Sequence, residues 1–138
     1  MKKILAAAAL VGLTPVLYGA DLTITVDNFD TAGGTLYLSV FNSQESYDTS
    51  DSSLATLAAQ GKVTDSTYAI TLHNLASGVY AVRLFHDEND NGKLDSNMLG
   101  IPREGYGFSN NGGRMGPASF DDAAVTVEDD TSISISLR

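Results

Sequence analysis

The chain of 138 residues contains no cysteine and no tryptophan, only three prolines and only two histidines. The absence of cysteine excludes disulfide stapling, thiolate metal sites and cysteine nucleophiles. Without tryptophan, a core has to be built from Val, Ile, Leu, Phe and Tyr. The two histidines, His73 and His86, are too far apart to make a zinc pattern on their own. Cations are scarce as well: Lys and Arg number eight against 17 Asp and Glu, a net charge of −9. Such a chain repels nucleic acid and anionic lipid, both of which need a cationic face.

Long apolar runs are missing except at the N-terminus. Lys2 and Lys3 precede an apolar run from Ile4 to Val11, extended by Leu13, Val16 and Leu17, and the segment ends in Gly19 and Ala20. That order predicts a secretory signal peptide over residues 1–20, cleaved after Ala20. The run is too short, and too broken by Gly12 and Pro15, to span a membrane. No cysteine stands at a lipoprotein position, so acyl anchoring is not expected. The predicted mature chain, residues 21–138, keeps six basic residues against 17 acidic ones, a net −11. The expectation is an exported protein, periplasmic or extracellular, with no membrane insertion of the mature chain and no nucleic-acid partner.

What is present is ordinary for one folded domain: 43% hydrophobic and 18% charged residues. The apolar residues follow period two. Leu22, Ile24 and Val26 alternate with Thr23, Thr25 and Asp27, and Leu36, Leu38 and Val40 alternate with Tyr37, Ser39 and Phe41. With Gly33 and Gly34 between them, these two strands are expected to form a hairpin. Ser52 to Gln60 is the one helix candidate, capped by Asp51 or Ser52 and ended by Gly61. Val63 to Leu72 reads as a strand, and Val79 to Phe85, interrupted only by Arg83, reads as a central strand covered on both faces. Ala123, Val125 and Val127, then Ile133, Ile135 and Leu137, supply the last two strands. The sum is an all-β fold: an antiparallel Greek-key β-sandwich of about seven strands with at most one short helix. Strand–helix alternation is absent, which disfavours a parallel α/β fold.

The most specific chemistry lies between Asp87 and Asp95. Asp87, Asn89 and Asn91 alternate, Gly92 stands where a calcium loop turns sharply, Lys93 offers its carbonyl, and Asp95 falls at the ninth position. Calcium, held weakly at ~10⁻⁴–10⁻³ M, is the only cofactor this spacing suggests. Met98 stands where an EF-hand carries its closing Glu, and a strand rather than a helix leads in. The other reading of the same residues is a solvated turn, since Asn, Asp and Gly tolerate left-handed backbone.

A second feature is the long glycine-rich stretch from Gly100 to Phe120. Tyr106 and Phe108, with Arg103 and Arg114 as anion-pairing groups, make a candidate contact surface for a protein or glycan. Alternatively, both aromatics plug an open end of the sandwich. No phosphate loop and no nucleophile elbow is present. A hydrolytic site would have to use His86 with Asp87 or Glu104, and catalysis is not expected.

The run from Phe85 to Asp95, the stretch Leu99-Gly100-Ile101-Pro102 with Glu104 to Asn111, the segment Gly116 to Ala123, and Leu75-x-x-Gly78-x-Tyr80-Ala81-Val82 resemble the signature of an exported bacterial family. It is known as domain of unknown function family 2141. The resemblance spans essentially the whole mature chain. It implies a secreted or periplasmic, β-rich domain without an established activity. The Leu-x-x-Gly-x-Tyr-x-Val segment also resembles prealbumin-like sandwich modules, some of which carry Asp/Asn/Gly calcium loops. The expected function is therefore a non-enzymatic binding or accessory domain of the cell envelope, its partner an envelope protein or glycan.

Overall fold

The computed structural model describes residues 19–49 and 51–138. The predicted leader lies outside the described residues except for Gly19 and Ala20. Eight strands form two sheets packed face to face: β1 (Ala20–Asp27), β2 (Thr35–Phe41), β3 (Leu57–Lys62), β4 (Tyr68–Leu75), β5 (Gly78–Asp87), β6 (Tyr106–Phe108), β7 (Ala124–Val127) and β8 (Thr131–Ser136). The smaller sheet has the order β4-β1-β8, and the larger runs β3-β2-β5-β6 with β7 also paired to β5. No helix among the described residues is long and apolar enough to cross a membrane.

The alternation seen in the sequence becomes the core. Leu22, Ile24 and Val26 of β1 meet Leu36, Leu38 and Val40 of β2, Val82 and Leu84 of β5, and Ile135 and Leu137, all buried in one cluster. Each such side chain taken out of water is worth ~1.5–3 kcal/mol. Period two then dictates the other faces. Tyr37, Ser39 and Phe41 of β2 and Ala81, Arg83 and Phe85 of β5 point away from this core.

Several expectations need correction. β1 and β2 do not form a hairpin; the chain crosses from one sheet to the other between them, and β2 pairs with β3 and β5. Alternation specifies which face is buried, and both layers of a sandwich satisfy it equally. Not every pair is antiparallel, because β1 and β8 run parallel, Leu22 opposite Thr131 through Asp27 opposite Ser136. Residues 52–60 are no helix: a 3-10 turn covers Ser52–Leu54, and the rest enters β3. The strand expected from Val63 begins only at Tyr68. Among the described residues, two short helices occur elsewhere, α1 (Gln44–Asp48), capped by Ser43, and α2 (Phe120–Ala123), closed by a capping box between Ser119 and Asp122.

The helices cover half of the outer face of the larger sheet. Phe41, Tyr47, Ala81, Phe108, Ala118 and Ala123 form a second buried cluster there. Tyr47 locks it by donating its hydroxyl to the carbonyl of Ala118 at 2.8 Å. Along one edge, β5 pairs first with β7 (residues 78–81) and then with β6 (residues 83–85). Val82 sits at the junction, where neither strand supplies an acceptor. The hydroxyl oxygen of Ser109 fills the gap, accepting from the Val82 N–H at 2.9 Å and donating to the carbonyl of Ala123.

Candidate functional site

The Asp/Asn/Gly loop leaves β5 at Asp87, which is completely buried. Its two carboxylate oxygens accept from the backbone N–H groups of Asn91 (3.2 Å) and Gly92 (2.7 Å), winding the chain back on itself. Gly92 has φ +79°, the left-handed turn that the spacing predicted. Asp95 accepts from the side-chain amides of Asn89 (2.8 Å) and Asn91 (2.8 and 2.9 Å). These bonds, Asn91 first and then Asn89, hold its pKa below the ordinary carboxylate value. The Lys93 N–H donates to the side-chain oxygen of Asn91 at 3.0 Å. The structure thus brings Asp87, Asn89, Asn91, Lys93 and Asp95 into one connected turn.

Two further residues fasten this turn. Glu104, only 6% exposed, accepts from the Glu88 N–H at 2.5 Å and the Asp95 N–H at 2.8 Å, bridging the two ends of the loop. Asp90 accepts from the Thr35 hydroxyl (2.6 Å) and pairs with Lys62 (3.1 Å), tying the loop to β2 and β3. The Thr35 bond, then Lys62, pulls the Asp90 pKa down. Gly34 makes room for the loop: it has φ +69°, and a Cβ there would lie 2.3 Å from the carbonyl oxygen of Asp87. Spacing does not reveal Glu104, which comes from beyond the loop, or the ties of Asp90, whose partners Thr35 and Lys62 lie on other strands. Among the described residues, no group of three or more His, Cys, Asp or Glu is arranged to hold a metal ion.

His86 is fully buried toward the core side, its Nε2 2.6 Å from the carbonyl oxygen of Gly33 and its ring edge-on to Phe29. Asp87 points the other way, as adjacent strand residues must. Glu104 and Glu88 line a polar pocket of about 440 Å³ with Asp95 and Arg103, which neither His86 nor Asp87 lines.

The candidate contact residues separate. Tyr106 and Phe108 form β6, and Arg114 shares a hollow of about 520 Å³ with both of them, with Ile101, Met115 and Pro117 around it. Tyr106 is half-buried and Phe108 is 8% exposed, so the pair belongs to the sheet rather than plugging the sandwich end. Arg103 lies instead in the polar pocket beside the loop.

Tertiary pairing adds what the sequence hid. Tyr37, Phe85 and Tyr106 stand opposite one another on β2, β5 and β6, making one aromatic row across the open half of the outer face. Tyr37 and Phe85 are stacked, with ring centroids 5.1 Å apart. The next row is Ser39, Arg83 and Phe108. Two hollows of about 440 and 270 Å³ share Tyr37, Ser39, Ser52 and Phe85, and the second shares Leu94, Tyr106, Phe108 and Pro117 with the 520 Å³ hollow. Together they form one groove running across the strands. Gly92 and Leu94, both from the loop, belong to its wall. Two arginines, Arg83 and Arg114, line it, and no acidic residue does.

A model of the DUF2141 family, described as an uncharacterized protein conserved in bacteria, matches residues 24–135. The chain belongs to this family. The match runs from β1 to β8, so it takes in both sheets, the loop and the groove of this DUF2141 domain. No curated protein and no solved structure matches the chain.

Proposed function

We propose that this DUF2141 chain is an exported, non-enzymatic binding domain whose contact surface is the groove over the aromatic face of the larger sheet. The observation that carries this reading is the row Tyr37–Phe85–Tyr106, partly open to solvent on the floor of a groove without a single carboxylate in an otherwise acidic protein. Aromatic rings left partly exposed in register supply contact area at low entropic cost. The Asp87–Asp95 loop acts as a clasp that fixes Gly92 and Leu94 in the wall. The test is retention of envelope material on immobilised protein. Tyr37→Ala should abolish retention while a change on the opposite sheet, His73→Ala, leaves it intact. Equal retention by both variants would refute the proposal.

A second reading adds calcium to the clasp. Its support is that Asn89 and Asn91 already surround Asp95; rotating both amides would aim their oxygens, with the Asp95 carboxylate, at one cation. As the turn stands, the amide N–H groups take the place a cation would hold. A thermal melt decides: a midpoint raised by millimolar calcium over chelator, and lost in Asp95→Ala, supports the metal, and an unchanged midpoint removes it.

A further inference from the structure

We propose that two neighbouring loops, residues 96–103 and 113–117, seat the protein on a phospholipid surface of no net charge, with Met98, Leu99, Ile101 and Met115 entering the headgroup layer. These loops are separate from the Tyr37–Phe85–Tyr106 row, and their contact with lipid holds whether or not the row binds a ligand.

Large apolar side chains scattered singly over a surface mean little, but a cluster of them marks a contact. Among the described residues seven are exposed, and four of the seven lie on these two loops: Met98 and Met115 almost wholly, Leu99 at 83% and Ile101 at 56%. The loops are neighbours, because Gly100 and Ile101 share one hollow with Arg114, Met115 and Gly116.

The first tip is built rather than frayed. The side-chain oxygen of Asn97 accepts from the N–H groups of Leu99 at 2.9 Å and Ile101 at 3.0 Å, and the Asn97 carbonyl accepts from Gly100 at 3.0 Å. The Asn97 N–H closes the turn on the Ile101 carbonyl at 2.8 Å, and Ser96 pairs with Pro102 below it. Gly100 supplies the left-handed residue, with φ +76°. Backbone donors left free resist transfer out of water. Here three successive ones are already bonded inside the tip, while the side chains of Met98 and Leu99 stand in solvent.

Charge decides the kind of surface. Residues 96–120 hold only one of the 17 acidic residues, Glu104, and that one is buried and bonded to two backbone N–H groups. Arg103 follows the first apolar tip and Arg114 precedes Met115, both exposed. Their guanidinium groups can pair with lipid phosphates while the apolar side chains go deeper. The rest of the chain is strongly acidic, so an anionic membrane repels its body, and so does a second copy. A zwitterionic lipid surface carries no net charge and opposes neither part. Fully exposed side chains at a loop tip are convex, and a deformable layer admits them without a preformed complement. Net charge and run length argue against anionic lipid and a spanning helix; neither bears on shallow contact of two tips with neutral lipid.

The experiment is cosedimentation of the full mature protein with phosphatidylcholine vesicles. Four partly buried apolar side chains place half-saturation at ~0.1–1 mM lipid, the range of a single acyl anchor, and about 0.5 M NaCl should leave binding intact. Met98→Ser/Leu99→Ser and Met115→Ser should each weaken it about tenfold or more. Their urea midpoints should stay unchanged, because these side chains are already in water. Met98→Leu should keep binding, and so should Tyr37→Ala, which alters only the aromatic row. Since the chain has no tryptophan, Leu99→Trp supplies a single reporter, whose emission should shift to the blue on vesicles. No cosedimentation at about 5 mM lipid, or equal binding by the wild type and the serine variants, overturns the proposal. Binding that requires anionic lipid and disappears in salt also overturns it, since the contact would then be electrostatic. So does a lipid-free dimer in sedimentation equilibrium that Met98→Ser/Leu99→Ser dissociates, which would make a second copy the occupant of the tips.

Discussion

Glu104→Gln separates a clasp held by a carboxylate from a turn that merely passes nearby. The wild-type side chain presents two oxygens to two backbone donors, Glu88 N–H at 2.5 Å and Asp95 N–H at 2.8 Å. Glutamine keeps one acceptor and sets its NH₂ against the other donor. The substitution therefore loses one charge-assisted bond, worth ~1.5–3 kcal/mol, and leaves a part-buried N–H unsatisfied. Local opening to water caps the loss, so we expect a net destabilisation of ~2 kcal/mol confined to the loop. Since ~1.4 kcal/mol is a factor of ten, the amides of Asp95 and Glu88 should exchange hydrogen roughly 30-fold faster. Core amides such as Ile24 should keep their rates. Leu94 follows Lys93 in the same turn and lines the groove, so the variant should also weaken ligand binding without touching a single aromatic ring. Exchange at Asp95 within about twofold of wild type would refute the reasoning.

Three other outcomes follow from the same bookkeeping of donors, acceptors and space. Gly34→Ala should cost well over the ~1–2 kcal/mol of a left-handed residue, because its Cβ would meet the Asp87 carbonyl oxygen at 2.3 Å. Gly92→Ala, with a similar φ of +79° but open space around it, should cost only that conformational part; equal losses in urea unfolding would contradict the geometry. Ser109→Ala orphans the Val82 N–H and the Ala123 carbonyl at the break between β6 and β7, and a loss of ~2–4 kcal/mol is expected by urea titration. The pKa values of Asp21, Asp51, Asp90 and Asp95 all lie below the ordinary 3.8, chiefly through hydrogen bonds from Asn74, Ser53, Thr35 and Asn91 respectively. Depressed carboxylates stabilise the fold above their unfolded pKa, and that contribution disappears as pH falls through the folded values. The melting midpoint should therefore hold above pH ~4 and drop below it; a midpoint that stays level or rises between pH 4 and 2 would count against these bonds.

Legibility divided along the range of the interactions. The strands of the core were readable because Leu22, Ile24 and Val26, or Leu36, Leu38 and Val40, state their buried face in two-residue steps. Partners were not readable from the same steps, so β1 and β2 looked like a hairpin. Residues 52–60 carried Leu54, Leu57 and Ala58 at helical spacing, yet pairing of Leu57–Lys62 along β2 overrode that local preference. Helix α1 has only five residues and escaped a pattern that needs several turns. The clasp showed itself because Asp87, Asn89, Asn91 and Asp95 are close in sequence. Glu104, which braces it, comes from beyond the loop, and the rings of Tyr37, Phe85 and Tyr106 come from three separate strands that only register aligns.

The parallel seam between β1 and β8 also governs the order in which the molecule can be finished. β1 is the middle strand of its sheet, yet Asp21 bonds to Asp130, Asn28 to Leu137, and Asp27 to Ser136, each across 109 residues. Ile135 and Leu137 close the core from the same strand end. Closure over that span carries a large entropic cost before any contact repays it, and topologies rich in such contacts fold slowly. Residues 20–127 can pair β1 with β4 and build the larger sheet, but the open edge of β1 is sealed only when Thr131–Ser136 arrives, so the parallel seam is the step that completes the sandwich.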